Sequence, residues 1–249
     1  MSSLHSLWFS LYDFSFDYKG NEPAFIEKEF PWSKEFQASF KEIKSELYRY
    51  LKEHRPEAYF NQSMVNQKNS WKTISLKWWG IEFYKRQKYF PLTSAILHRY
   101  PEVLSLSFNS LEQGGSILPH CGDTNGIYRC HFGIEIPGGL PEVGFKVKEE
   151  LRNWKEGEWL FFMDAYVHEA FNHSQKERII MVVDYLRPEF KSRKRKIISI
   201  VLTSLFLQKR VEKWKILKKT PAIVVKGISF LLRPFAWISV KTCNFLKVY

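Results

Sequence analysis

The chain has few cysteines, no zinc-type cysteine pattern and no early basic segment. Its 249 residues include three cysteines, at positions 121, 130 and 243, which are too few for a framework of disulfides and form no Cys-x-x-Cys pair. Such usage suits a reducing compartment. The start carries Asp13 and Asp17 and no basic stretch ahead of an apolar one, so we expect no signal peptide and a cytoplasmic protein. A hydrophobic content of 45% with 17% aromatic residues excludes a disordered chain.

Acidic residues are almost absent from the C-terminal part. Residues 191–249 contain 15 lysines and arginines but one acid, Glu212, whereas residues 1–190 contain 23 basic and 25 acidic side chains. The formal net charge of +12 therefore belongs entirely to this tail, and a domain boundary is expected near residue 190. Two apolar stretches, 197–207 and 221–240, lie among the basic residues of the tail.

The tail favours contact with a membrane. Lysine and arginine beside tryptophan and phenylalanine are typical of helices that lie on an anionic membrane surface. A spanning helix, helices packed on the same protein and nucleic-acid binding also fit, although no recognised nucleic-acid motif accompanies the charge. The 197–207 stretch is too short to cross about 30 Å of hydrocarbon. We expect a peripheral membrane contact through residues 191–249, with nucleic acid the less favoured partner.

The first half of the chain predicts helices around one long strand. Apolar residues recur at helical spacing over 33–54, with Ser33 as the expected N-terminal cap. Residues 69–85 alternate like a strand that bends at Gly80, and residues 91–100 are expected to form a short helix.

Short alternating strands recur from residue 103 to residue 187, separated by turn residues at similar intervals. This spacing predicts an all-β sandwich or a jelly roll. The expected fold class is α+β: a double-stranded β-helix (jelly-roll) core at about residues 69–188, with flanking N-terminal helices and a basic C-terminal helical tail.

Two histidines on neighbouring strands, His120 and His168, are candidate metal ligands. Neutral imidazole binds Fe(II) well, and the usual non-haem iron set adds one carboxylate. Gly122 stands where that carboxylate is expected, and Asp123 should face the other side of a strand. A lone histidine on a strand is more often structural, so the pair alone leaves both a metal site and a structural role open.

Arginines among apolar residues strengthen the metal interpretation. Arg178 opens the otherwise apolar strand RIIMVVDYL, where an unpaired guanidinium is costly. It needs an acid partner, and a carboxylate held by two hydrogen bonds suits its planar fork. Arg129 and His131 alternate with Cys130 and should point to one side. A structural ion pair remains the alternative for each arginine.

At these motifs the sequence resembles the aspartyl/asparaginyl β-hydroxylase family of Fe(II)- and 2-oxoglutarate-dependent dioxygenases. The strings PHCGDTN, YRCHFGIEIP, WKEGEWLFF, HEAFN and RIIMVVDYLRPE carry the resemblance, which covers about residues 71–188. It implies that His120 and His168 bind Fe(II) and that glycine at position 122 is a family feature. It also implies that Arg178 pairs with the distal carboxylate of 2-oxoglutarate, with O2 as the second co-substrate.

The resemblance places further residues around the co-substrate. Arg129 and His131 match positions near its other end, Trp71 matches a tryptophan of the same pocket, and Asn109 stands where the family often has serine. Ile127 stands where peptide hydroxylases of the family tend to carry an arginine for the substrate carboxylate. The implied activity is hydroxylation of an aspartyl or asparaginyl residue or of a membrane-lipid acyl chain.

A function of another class fits the same pattern. A non-catalytic jelly-roll module, tethered to a membrane or to nucleic acid by the basic tail, would bind no iron and form no succinate. The catalytic interpretation makes residues 1–190 a dioxygenase domain and residues 191–249 its tether. Turnover of 2-oxoglutarate distinguishes the two interpretations.

Overall fold

The computed structural model describes residues 6–12, 18–213 and 222–249, so Asp13 and Asp17 lie outside the described residues. The α-helices are α1 (Pro31–Ala38), α2 (Phe40–Glu53), α3 (Tyr84–Gln87), α4 (Pro91–Arg99), α5 (Lys194–Lys213) and α6 (Ala222–Leu246), with short 3-10 helices at Ser10–Tyr12, Gln62–Met64 and Pro188–Arg193. The strands are β1 (Glu57–Ala58), β2 (Trp71–Trp78), β3 (Ile81–Glu82), β4 (Val103–Leu111), β5 (Gly115–His120), β6 (Ile127–Glu135), β7 (Val143–Val147), β8 (Glu150–Arg152), β9 (Trp159–Phe162), β10 (His168–Asn172) and β11 (Arg178–Leu186).

Two antiparallel sheets form the core. The larger runs β1-β2-β4-β11-β6-β9, with β3 beside β2, and the smaller runs β5-β10-β7-β8. From β4 onward the chain moves between the sheets, because β4, β6, β9 and β11 belong to the larger and β5, β7, β8 and β10 to the smaller. A buried cluster containing side chains of both sheets, such as Ile180 and Phe145, fills the space between them. This winding confirms the predicted double-stranded β-helix within an α+β fold.

The structure has the bend at Gly80 and the short helix over residues 91–100 that the sequence predicts. β2 ends at Trp78 and β3 begins at Ile81; between them Trp79 and Gly80 both have positive φ, 45° and 84°. Glycine tolerates such a backbone without a Cβ clash, so the expected bend lies at Gly80. The helix expected over 91–100 is α4.

The helix predicted over 33–54 is in fact two helices, α1 and α2. They are separated at Ser39, whose φ of −100° and ψ of 17° leave the helical region. Ser33 is not the cap: its hydroxyl donates to Phe30 O at 2.8 Å and accepts from Phe30 N at 3.2 Å from within the first turn. Pro31 sets the start instead, because its fixed φ suits the first helical position.

The tail helix α5 packs one apolar side on the barrel. Ile197, Ile198 and Val201 are buried in the same cluster as Leu104 of β4 and Ile127 of β6. The tail is helical where it is described, as expected, and its first helix forms part of the wall around the core. The division into domains at residue 190 stays a prediction.

Helix α6 lies on α5 and leaves an apolar face exposed. Its segment Ile223–Leu246 is long and apolar enough to cross a membrane, with a mean hydropathy of 1.6. Only 11% of the residues in its apolar 18-residue stretch are buried. Ser229 and Val240 are buried against the protein. The exposed large apolar side chains recur at helical spacing on the other side; among them are Phe230, Leu231, Phe235, Ile238 and Phe245.

Candidate active site

The two predicted ligands lie side by side on adjacent strands. His120 of β5 pairs in register with His168 of β10, and their ring centroids are 4.2 Å apart. Nδ1 of His120 lies 2.8 Å from Leu118 O, and Nδ1 of His168 lies 2.8 Å from Tyr166 O. Because each carbonyl can accept only from a protonated Nδ1, each Nε2 is left with a lone pair for a metal.

Burial keeps both imidazoles in the form that binds metal. It lowers the pKa of His120 to about 4 and the pKa of His168 well below its ordinary value. The positive charge of Arg129 lowers both pKa values further. The pair is therefore neutral at physiological pH, as a metal ligand must be.

A carboxylate that the sequence did not single out lies beside the pair. Asp164 Oδ1 is 3.8 Å from His168 Nε2. A Cβ at Gly122 would lie 1.7 Å from Asp164 Oδ2, so Asp164 fills the space where any side chain at position 122 would have to go. The signal that could have found it is an aspartate just after the apolar strand β9 and four residues before His168. No group of three or more His, Cys, Asp or Glu side chains arranged for a metal occurs in the described ranges.

Arg129 holds this carboxylate in a charge cluster. Arg129 Nη1 is 2.7 Å from Asp164 Oδ1, and Arg129 Nε donates to Asp184 Oδ1 at 2.7 Å. The first contact lacks the alignment of a hydrogen bond, so neither oxygen of buried Asp164 has a hydrogen-bond partner among the residues that the structure describes. Burial raises the pKa of Asp164 to about 7, although Arg129 opposes the shift. Such oxygens are suited to accept from a water molecule on a bound metal ion.

Arg178 is a buried cation without an acidic partner among the described residues. It is 1% exposed and lines the same cavity as the histidines. Its Nε and Nη2 have no hydrogen-bond partner within the described part of the chain, and its Cζ lies 4.6 Å from the ring centre of Trp154. Burial lowers its pKa to about 9. A bound carboxylate would satisfy both nitrogens at once.

The remaining predicted residues complete the cavity wall. Trp154 Nε1 donates to His131 Nδ1 at 3.3 Å, which places Trp154 between His131 and Arg178. Trp71 Nε1 donates to Asn109 Oδ1 at 3.1 Å. Tyr59, which the sequence did not single out, stacks on Trp71 with ring centroids 3.6 Å apart. One continuous cavity of about 770 Å³ is lined by all seven predicted site residues: Trp71, Asn109, His120, Arg129, His131, His168 and Arg178.

Ile127 takes no part in this cavity. It is fully buried in the apolar cluster beneath α5. The position offers neither a charge nor a polar atom to a substrate. The individual roles of the seven lining residues in catalysis and binding stay predictions.

Comparisons with known proteins find related sequences. A family model described as aspartyl/asparaginyl β-hydroxylase matches residues 37–188. The chain is 30% identical over 174 residues to an ornithine lipid ester-linked acyl 2-hydroxylase of Rhizobium tropici, covering 68% of this chain and 62% of the relative. It is 29% identical over 139 residues to the aspartyl/asparaginyl β-hydroxylase of Mus musculus, covering 53% of this chain and 18% of the relative.

The chain thus spans less than two thirds of the length of either relative. Among solved structures, one described as a predicted oxalate decarboxylase from Thermotoga maritima aligns with a TM-score of 0.38 and 15% identity, over 55% of this chain and 96% of that one.

Proposed function

Because this chain belongs to the aspartyl/asparaginyl β-hydroxylase family, we propose that it is an Fe(II)- and 2-oxoglutarate-dependent hydroxylase. His120 and His168 hold the metal through Nε2, while the Leu118 and Tyr166 carbonyls fix the two rings. Bound Fe(II) supplies the oxidising chemistry with O2, and 2-oxoglutarate is converted to succinate and CO2.

Arg178 is the observation that carries this proposal. A guanidinium that is 1% exposed and lacks an acidic partner within the described ranges is costly to bury, and a bound anion would offset that cost. The distal carboxylate of 2-oxoglutarate is an anion of matching geometry. Trp71 lines this cavity, and the ring of buried Trp154 lies 4.6 Å from Arg178 Cζ and shields the guanidinium from water, which strengthens an ion pair there.

The charge cluster of Arg129, Asp164 and Asp184 has a role different from that of Arg178. Arg129 balances Asp164 and Asp184, and the carboxylate of Asp164 remains beside His168 Nε2. Asp164 thereby supplies a carboxyl group next to the metal that Gly122 does not. We expect Asp164 to orient water on the metal, because its two oxygens have no other hydrogen-bond donor among the described side chains.

A membrane-lipid acyl chain is the favoured substrate class. The relative named as a lipid acyl hydroxylase matches 68% of this chain, a longer stretch than the 53% matched by the aspartyl/asparaginyl hydroxylase. Ile127 is buried and provides no cation for a substrate carboxylate. Hydroxylation of a peptidyl asparagine or aspartate is the second candidate, and it is favoured by the name of the matching family model.

Helix α6 supports a location on the membrane. Phe230 and Phe235 are 67% and 64% exposed on a helix whose charged side chains are all basic. An apolar face bordered by lysine and arginine is suited to the surface of an anionic bilayer. We propose that α6 lies in the interface, with its apolar face in the bilayer and Val240 turned toward the protein.

The test is turnover of 2-oxoglutarate by the full chain. Protein loaded anaerobically with Fe(II) and 2-oxoglutarate is exposed to O2 with a lipid fraction or a peptide fraction, and succinate is measured. We expect succinate in the wild type, more of it with lipid, and none in His168→Ala. If only the peptide fraction stimulated succinate formation, the substrate would be a peptide and not a lipid. No succinate under any condition would favour a non-catalytic binding module.

A further inference from the structure

The cavity continues past the histidine pair to a wall made by the tail. Beyond Arg129 and Asp184 it is lined by Trp78 and Trp79 of the β2–β3 turn and by Leu205 and Gln208 of α5. We call this part the α5 arm. It lies at the end of the larger sheet away from Arg178, since Arg178 begins β11 and Asp184 lies near its end. The arm is therefore separate from the place proposed for 2-oxoglutarate.

Helix α5 is fixed to the loop that follows the first histidine. Ser204 Oγ donates to Asp123 Oδ1 at 3.1 Å, and Gln208 Nε2 donates to the same oxygen at 3.4 Å. Gln208 Nε2 also lies 3.1 Å from Ser204 Oγ. Asp123 comes three residues after His120, so the wall of the arm is tied to the metal-binding strand. This wall lies outside residues 37–188, to which the family model applies.

The arm carries both polar and apolar side chains. Ser105 and Asp184 line it, and Trp79 N donates to Ser105 Oγ at 3.0 Å. Trp79, Phe83 and Leu205 add apolar surface. Lys77 also lines it, but its charge is balanced by Glu82 at 2.9 Å. A ligand that combines a polar group with a hydrocarbon chain matches this lining.

Phe83, one of the apolar residues that line the arm, lies next to α6. The Phe83 ring is 5.2 Å from the Tyr249 ring, and Glu82 N donates to Asn244 Oδ1 of α6 at 2.9 Å. A chain leaving a bilayer at the exposed face of α6 therefore reaches the arm beside Phe83. We propose that the α5 arm receives the acyl chain of the substrate and that Leu205 sets the chain length it accepts. This inference rests on the proposed lipid hydroxylase function.

Binding to the metal-free protein tests the arm without turnover. The probes are decanoate, dodecanoate, tetradecanoate and hexadecanoate, with affinity measured by calorimetry. Each buried methylene contributes about 0.8 kcal/mol, so affinity should rise about fourfold per methylene until the arm is full. In Leu205→Trp the rise should stop at a shorter chain, and in Leu205→Ala at a longer one. Thermal unfolding confirms that each variant is folded.

Phe206→Trp is the matched control, because Phe206 is adjacent on α5, 48% exposed and not part of the cavity wall. It should keep the wild-type length profile and the wild-type succinate yield. In turnover, the chain lengths of the hydroxylated products should shift in the two Leu205 variants as binding does.

The outcomes distinguish failure of the acyl-chain inference from failure of the proposed iron- and 2-oxoglutarate-dependent function. An unchanged length profile in both Leu205 variants overturns the inference. Succinate formation stimulated by asparaginyl peptides, with no binding of fatty acids, also overturns it, while the iron and 2-oxoglutarate function stands. No turnover of 2-oxoglutarate by the wild type and Phe206→Trp overturns the proposed function and this inference with it.

Discussion

Replacing Arg178 by methionine should stabilise the ligand-free protein while abolishing co-substrate binding. Arg178 is 1% exposed, and two of its nitrogens have no hydrogen-bond partner among the described residues. Each unmade buried hydrogen bond costs about 1–3 kcal/mol. The contact of its Cζ with Trp154 at 4.6 Å returns only about 0.5–2 kcal/mol. Methionine fills similar space without a charge, so we expect the free energy of unfolding to rise by about 1–4 kcal/mol.

The same substitution removes the proposed partner of the 2-oxoglutarate carboxylate. Two charge-assisted hydrogen bonds contribute about 1.5–3 kcal/mol each, so the affinity for 2-oxoglutarate should fall at least about 100-fold. The assay is urea unfolding of wild type and Arg178→Met, with and without 2-oxoglutarate and a redox-inert divalent metal. The wild type should be stabilised by added 2-oxoglutarate, whereas the variant should not respond to it.

Arg187 is the matched control, because it is equally buried but fully paired. Its Nη1 donates to Glu22 at 2.7 Å, and its Nη2 donates to Glu189 at 2.6 Å. Arg187→Met should lower the free energy of unfolding by about 3 kcal/mol, since it leaves Glu22 without its partner. If Arg178→Met destabilised the ligand-free protein to the same extent, or still responded to 2-oxoglutarate, the assignment of Arg178 would be refuted.

Three further predictions concern other parts of the molecule. Asp164→Asn should weaken metal binding about 10–100-fold in an anaerobic titration, because it replaces the carboxyl group beside the histidines with a neutral amide; unchanged affinity would exclude that role. Burial raises the pKa of Glu22, but hydrogen bonds from Arg187, from its own backbone and from Tyr18, together with the positive charge of Arg187, outweigh burial and bring the pKa below 4.5. Stability from this pair is therefore present above pH 4.5 and lost as pH falls through the lowered pKa, so urea unfolding of Glu22→Gln should depend less on pH below 4.5. Phe235→Asp should reduce sedimentation with both anionic and neutral vesicles, because it removes an apolar side chain from the bilayer and adds a negative charge; equal sedimentation would contradict the interfacial placement of α6.

Alternating residues and turn positions predicted much of the barrel. In strands such as β4 and β11, residues that face the cavity alternate with residues that face the other side. This alternation involves only neighbouring residues, so it can be read from the sequence. The start of α1 was misplaced because Ser33 and Pro31 both fit a helix start, and the choice depends on how Phe30 packs. The packing of α5 on the barrel depends on long-range contacts; the sequence left helices packed on the same protein as an alternative and favoured a membrane contact.

Prediction of the site from the sequence is limited in the same way. His120, His168 and Arg178 could be proposed from the sequence, because an arginine in an apolar strand strengthens the weak signal of the two histidines and the motifs around all three resemble those of a known family. Asp164 was not singled out, because its link to Gly122 is spatial: the two residues are 42 positions apart, and the carboxylate fills space that glycine leaves. The α5 arm likewise joins residues of β2 and α5 that only the fold brings together.

The most direct measurement traces oxygen into the product. The full chain is supplied with Fe(II), 2-oxoglutarate, anionic vesicles containing bacterial lipids, and isotopically heavy O2, and both succinate and lipids are analysed by mass spectrometry. We predict that the wild type forms succinate together with a lipid carrying one heavy oxygen atom on an acyl chain, and that His168→Ala forms neither. A wild type that binds metal but forms no succinate, or a His168→Ala variant with undiminished yield, would contradict the assignment of this site.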